Sequence, residues 1–254
     1  MDGKKIGQKL RDREFKKWTE LKLRGAGVSL FQEVKAHNKW LTPEEGLLNS
    51  EFTDLVKLST NSAPVRGIPG RSRDGGQCRR CSNSSNETQT QTETLHHVLQ
   101  YCPFGRLARI NRHNQIRTIL AKELRRQPFE VHEEVAGLAD NGYVRRIDII
   151  AIDRKTEKAV IIDPTVRFKT GLDHPKEVHE EKKRIYEPTI GYYKEKYQVE
   201  DIEVVGLLIG ARGTITAFFR DFCKRFNIPE SCMKTIAQAA VRGSINILRS
   251  HLYL

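Results

Sequence analysis

The chain has 254 residues, enough for one large domain or a compact domain with smaller appendages. Its composition is 38% apolar and 30% charged, and no apolar run approaches the ~20 residues that a membrane span needs, so a membrane helix is not expected. Lysine and arginine number 44 against 32 aspartate and glutamate, a balance of +12 with a pI near 9.5, which is the electrostatic footprint of a nucleic-acid binder.

The amino-terminal stretch MDGKKIGQKLRDREFKKWTELK is charged throughout and lacks the apolar core of a signal peptide, so an intracellular chain with reduced thiols is expected. Helix-like segments follow at 28–41 and 42–60, the second opened by Thr42 as N-cap and Pro43 at the first helical position. Residues 61–77 mix Pro, Gly and Arg without periodicity and read as a linker or a phosphate-tracking arm. A polar loop, SNSSNETQTQTET, occupies 82–94. The pattern then predicts a helix over 104–126, strands over 144–152 and 158–163, a helix over 173–187, a strand over 201–209, and helices over 214–226 and 231–249. This order is mixed α/β, of the α+β kind.

The first chemical constellation is C-x2-C at Cys78 and Cys81 with H-x4-C at His97 and Cys102. Two thiolates two residues apart make half of a tetrahedral site, and an imidazole with a third thiolate completes it, which points to structural zinc. His96 is the rival ligand. His113 shares a helical stripe with Ile110, Ile116 and Leu120 and reads as a packed core histidine. Arginines crowd both sides of the site, and Arg71, Arg73, Arg79, Arg80, Arg106, Arg109 and Arg112 are candidates for contact with nucleic-acid phosphates.

The second constellation is RRIDIIAIDRKTEKAVIIDPTVR (145–167), two apolar runs around a charged turn, each carrying one aspartate. Symmetric antiparallel pairing sets Ile152 against Ala159 and hence Asp148 against Asp163, on one sheet face. Like charges at the ~4.5–5.5 Å of directly opposite residues destabilise a sheet, so a compensating charge is required. A divalent cation such as Mg2+ or Mn2+ provides it through hard oxygen ligands. The alternative is that each aspartate pairs with Arg145, Arg146 or Arg167.

The strand-aspartate, turn, strand-aspartate pattern resembles the PD-(D/E)XK nuclease core. The whole chain resembles the C-terminal region of non-LTR retrotransposons that carry a restriction-like endonuclease, through GVSLFQEVKAHNKWL, EGLLNSEFTDLVKLSTNSAPVRG, CRRC with ETLHHVLQYCP, RINRHNQI, RRIDII, VIIDPTVR, VVGLLIGARGTI and GSINI in that order. The resemblance implies a restriction-endonuclease-like core at 116–254, a CCHC zinc module with its basic helix at 71–115, and a helical region with a basic linker at 1–70. It also implies a metal-dependent endonuclease that nicks double-stranded target DNA in the nucleus, so that the freed 3′-hydroxyl primes reverse transcription; the element's RNA is a further partner that it suggests. The sequence departs from the pattern at Ile147, where proline is usual, and at Thr165, where the basic motif has lysine. In this family the lysine is typically displaced into a segment resembling AHxxKxxxY. VHEEKKRIY (178–186) matches it with Lys182 at the lysine position and Tyr186 at the aromatic one, Lys183 being the one-residue rival. An acidic residue on an earlier helix completes such clusters, and Glu134 matches best, with Glu133 beside it. Nothing resembles a reverse-transcriptase catalytic segment, so a polyprotein fragment or a shortened copy is expected. Two other readings stay open: a non-catalytic zinc-stabilised nucleic-acid-binding module on a degenerate nuclease core, and a scaffold between polyprotein domains.

Overall fold

The structure is a computed structural model that describes residues 3–32, 34, 48–72, 75–81, 91–168 and 174–254. In chain order its elements are α1 (Gly3–Thr19), α2 (Asn49–Ser59), α3 (Arg106–Leu124), β1 (Glu130–Leu138), β2 (Val144–Asp153), β3 (Lys158–Arg167), α4 (His174–Tyr186), α5 (Ile190–Tyr197), β4 (Asp201–Gly210), α6 (Ala217–Arg225) and α7 (Glu230–Tyr253). The strands form one sheet in the order β1-β2-β3-β4. The first three are antiparallel neighbours, and β4 runs parallel to β3, a return that needs a crossover and receives it from α4 and α5.

Isoleucine and valine dominate β2 and β3, where branching at Cβ suits the pleated backbone. Both faces of these strands are covered, so they read as near-continuous apolar runs. Ile149, Ile162 and Leu207 pack on one side with Leu120 of α3, Phe219 of α6, Ile236 and Leu248 of α7, and Leu58 of α2. Ile150, Ile161 and Val204 pack on the other with Tyr186 of α4 and Tyr193 of α5. Fully burying each such aliphatic side chain contributes about 1.5–3 kcal/mol. The larger cluster runs from Leu55 to Leu248 and so draws on all three sequence ranges set out above. Among the described residues no helix is long and apolar enough to cross a membrane.

Several expectations change. The segment EVHEEVAGL is the edge strand β1 and not a helix; half-exposed charged side chains suit an edge, which they protect from further pairing, but they hide its strand character. Residues 61–72 are not a free arm: Ala63 and Val65 are buried, Gly67 N donates to Glu93 O at 2.9 Å, and Arg66 N donates to the Glu93 carboxylate at 2.9 Å. Two apolar positions are too few to register as periodicity. The helix α1 falls within the helical region expected at 1–70, α5 had no counterpart in the pattern, and Thr42 and Pro43 lie outside the described residues.

Candidate functional site

A short ribbon clamps the base of the polar loop, with Gln77 bridged to Thr92 and Cys78 N donating to Gln91 O at 2.8 Å. His97 and Cys102 are five residues apart, too far around a helix of 3.6 residues per turn to face the same point. They converge because His97–Tyr101 forms a π-helical turn, in which Cys102 N donates to His97 O at 2.8 Å. The donor atoms of Cys78, Cys81, His97 and Cys102 all lie within 4.8 Å of one another, and all four residues are buried. Cys78 Sγ and Cys102 Sγ are 3.9 Å apart, Cys81 Sγ and Cys102 Sγ 3.7 Å, and Cys81 Sγ and His97 Nε2 3.3 Å. Sulfur atoms around a tetrahedral zinc with Zn–S of ~2.3 Å stand about 3.8 Å apart, so the donor set fits that ion. Of the two rival histidines it is His97 that joins the cluster. His96 packs instead against Tyr101 and Phe168, at centroid distances of 5.0 and 5.3 Å.

The carboxy-terminal helix backs the cluster. His251 Nε2 lies 3.8 Å from Cys78 Sγ and 3.2 Å from Glu93 Oε2, and Arg79 donates to both oxygens of the fully buried Glu93. Burial raises the Glu93 carboxyl, but hydrogen bonds from His251, Arg79 and the Arg66 backbone outweigh it and hold the group well below the usual carboxylate range. The Cys102 thiol, the His251 ring and the Arg80 and Cys81 backbone amides likewise hold the Cys78 thiol far below its ordinary value, against the cost of burial.

A cleft of about 480 Å³ opens where β2 and β3 part, and Asp148, Asp163, Thr165, Lys182, Tyr186 and His113 are among its lining residues. That volume is typical of ligand clefts, which span ~300–1,000 Å³. The expected pairing of Ile152 with Ala159 is present, but the ladder ends at Ile149 and Ile162, one step before the aspartates. On the other edge, β1–β2 pairing is interrupted between Glu133↔Ile149 and Val135↔Ile147, and Glu134 adopts φ 52°. Ile147 and Ile149 fall in different apolar clusters although they are two apart, so the alternation breaks at Asp148. The two carboxylates consequently meet partners from opposite layers.

Asp163, 3% exposed, accepts from Thr165 Oγ1 at 2.7 Å and Tyr186 OH at 2.8 Å, and pairs with Lys182 Nζ at 3.0 Å. Asp148 Oδ1 lies 3.2 Å from His113 Nε2 of α3. The groups that face the two aspartates are therefore Lys182 and His113. None of the three arginines expected at this position does so: Arg167 pairs with Glu181, Arg146 lies 3.9 Å from Glu134, and Arg145 stands over the Tyr143 ring. Burial, reinforced by the Asp163 charge, pushes the Tyr186 hydroxyl well above its ordinary value, so it stays a donor. The hydrogen bond to Asp148 pushes the His113 ring up against burial. His113 is thus a cleft residue and not a core one, its 30% exposed side chain turned toward Asp148 of β2.

Close approach of α4 to β4 sets Lys182 in place. A Cβ at Gly206 would stand 2.8 Å from Lys182 Cγ and 2.9 Å from Val178 O, so only glycine fits. Lys183 points to Glu187 at 3.7 Å and is not a lining residue. Glu134 does not line the cleft either; its carboxylate is taken by Arg117, which also holds Glu133 at 3.2 Å.

The arginines divide by environment. Arg106 and Arg109 line the cleft, Arg109 while donating to Cys102 O at 2.7 Å. Arg112 also lines it but is 3% exposed, donates to Ser244 Oγ at 2.7 Å and to Leu99 O at 3.3 Å, and burial pushes it down to about 10. Arg79 is committed to Glu93, Arg80 donates to His251 O at 2.9 Å, and Arg71 donates to Ala63 O at 3.0 Å. Arg73 lies outside the described residues.

No protein-family model matches the sequence. The chain is similar to retrovirus-related Pol polyproteins from the type-1 retrotransposable element R2 of Popillia japonica. One is 28% identical over 178 residues, 69% of this chain and 35% of the relative. A second is 28% identical over 232 residues, 88% of this chain and 36% of the relative. A third is 27% identical over 163 residues, 63% of this chain and 22% of the relative. The chain therefore spans about a third or less of the length of these relatives.

Proposed function

We propose that the chain is the part of such a polyprotein that nicks double-stranded target DNA, leaving a 3′-hydroxyl from which a reverse transcriptase extends. The observation that carries this reading is the convergence of Asp148, Asp163 and Lys182 on one arginine-lined cleft. Two carboxylates beside a hydroxyl are hard oxygen donors of the kind that suit Mg2+ or Mn2+. A divalent cation held by Asp148 and Asp163 would polarise the scissile phosphate and lower the pKa of a bound water. Lys182 then faces the phosphate and offsets the charge that develops on it. Tyr186 and Thr165 fix the Asp163 carboxylate, and His113 orients Asp148. Arg106 and Arg109 neutralise phosphates at the cleft, which supplies affinity without sequence choice. The Cys78, Cys81, His97 and Cys102 site holds structural zinc beside this cleft, and the element's RNA is a second nucleic-acid partner. The work is nuclear, where target DNA lies.

A supercoiled plasmid tests the reading. Incubation with Mg2+ or Mn2+ is expected to give the open circle, and EDTA or an Asp148→Ala/Asp163→Ala double variant to abolish it. Wild type that binds DNA but stays inert with both ions supports the second reading, a non-catalytic zinc-stabilised nucleic-acid-binding module, which Ile147 and Thr165 favour.

A further inference from the structure

Two hollows outside the cleft meet at Thr94 and His96. The first is lined by Lys22, Asn61 and Phe168, the second by Gln91, Tyr101 and Pro103, and among the described residues no carboxylate lines either. The π-helical turn that brings His97 and Cys102 together also places His96 and Tyr101, five residues apart, ring against ring at 5.0 Å, with the buried Phe168 ring 5.3 Å from His96. Tyr101 is 59% exposed, so much of its ring is open to a ligand.

Both elements that build this aromatic groove also build the cleft. Along β3 the chain passes from Asp163 and Thr165 in the cleft to Phe168 in the groove, ~16 Å for five extended residues. Along the π turn it passes from Gln100 in the cleft to Tyr101 in the groove, and Gln100 Oε1 accepts from Phe168 N at 2.7 Å, tying the two walls together. The cleft end carries Arg106, Arg109 and Lys182. A polymer that leaves the cleft with its phosphates on those cations reaches, a few nucleotides on, a surface with rings, amide or hydroxyl groups and, among the described residues, no carboxylate. Paired bases keep their faces to themselves; unpaired ones offer a π-face to any aromatic side chain.

We propose that Tyr101, backed by His96 and the buried Phe168 ring, stacks on unpaired bases of a DNA strand whose duplex portion occupies the cleft, so that the preferred substrate is a duplex with a single-stranded flank. This rests on the reading of the cleft as a DNA site. It does not require that the cleft cut.

The test is fluorescence anisotropy of the full chain, without added divalent cation, on a blunt duplex, the same duplex with a DNA flank, and the same duplex with an RNA flank. Wild type is expected to bind the DNA-flanked probe more tightly than the blunt one. Tyr101→Ala should lose roughly five- to hundredfold of the affinity for the flanked probe and none for the blunt probe, and Tyr101→Phe should keep it. Zinc content and melting temperature equal to wild type show that Tyr101→Ala is folded; if it is not, His96→Phe, which preserves the ring, must keep the preference. Equal binding of blunt and flanked duplexes by wild type, an unchanged preference in Tyr101→Ala, or a stronger preference for the RNA flank each overturns the proposal. These outcomes are independent of plasmid nicking: an inert wild type that still prefers the DNA flank sinks the nuclease and leaves the groove standing.

Discussion

Asp163 carries three donors, Lys182, Tyr186 and Thr165, while itself almost wholly buried. It is therefore not a destabilised neighbour of Asp148 awaiting a cation; its charge is matched. Asp163→Asn should abolish nicking and also lower stability by roughly 1.5–3 kcal/mol, because the charged hydrogen bond to Lys182 is lost. Urea unfolding in EDTA reads that cost, and a variant as stable as wild type would show that the ion pair contributes nothing. The open choice between adjacent lysines has a geometric answer at the same scale. Lys182→Ala should lose nicking with zinc content unchanged, whereas Lys183→Ala, whose partner is the surface Glu187, should nick like wild type. Inactivity of Lys183→Ala alone would place the working amine on the other side of α4.

Element placement makes those residues effective. The helix α4 lies so close to β4 that any side chain at position 206 meets Lys182 Cβ and Cγ and the Val178 carbonyl. Gly206→Ala should push α4 outward, costing about 1–3 kcal/mol by overpacking and reducing nicking far more than it reduces DNA affinity. Equal kinetics in wild type and Gly206→Ala would mean that the helix position does not set the amine. The break in β1–β2 pairing at Glu134 and Asp148 has a parallel role, since it turns Asp148 toward His113 and away from the face that strict alternation would give it. Alternation was legible in the sequence. Its interruption was not, because it depends on a positive φ at a glutamate that nothing in the local composition requires.

Across the whole molecule, α7 joins the Cys/His cluster to the sheet. Its central residues pack on the core with Ile149 and Ile162, while its last turn gives His251 to Cys78 and Glu93, and the His251 and Leu252 carbonyls to Arg80 and Arg79. Outer partners of this kind tune metal affinity, so His251→Ala should weaken zinc binding about 10–100-fold in chelator competition while the four donor residues remain. Unchanged competition would make the contact mere packing. The positive charge acts at the same scale: log affinity for duplex DNA should fall by about 0.9 per phosphate neutralised for each decade of salt, and a salt-independent affinity would remove phosphate contact from the account.

By itself the sequence determined the chemistry available: four soft ligands at Cys78, Cys81, His97 and Cys102, two aspartates in apolar strands, a lysine pair on a following helix, and an excess of positive charge. It also determined β2, β3, β4 and the covering helices α3, α4, α6 and α7, because burial on both faces leaves long apolar runs that local pattern can carry. Tertiary structure alone decided which partners meet. Lys182 reaches Asp163 across a crossover and over Gly206, His113 reaches Asp148 through a break in pairing, and Arg112 is withdrawn from the surface to Ser244, 132 residues away. It also decided that β1 is an edge strand and that Asn61, Ala63 and Val65 are buried. In each case the deciding contact is with residues distant in the chain, and its free energy comes from burial and charge pairing that no local window contains.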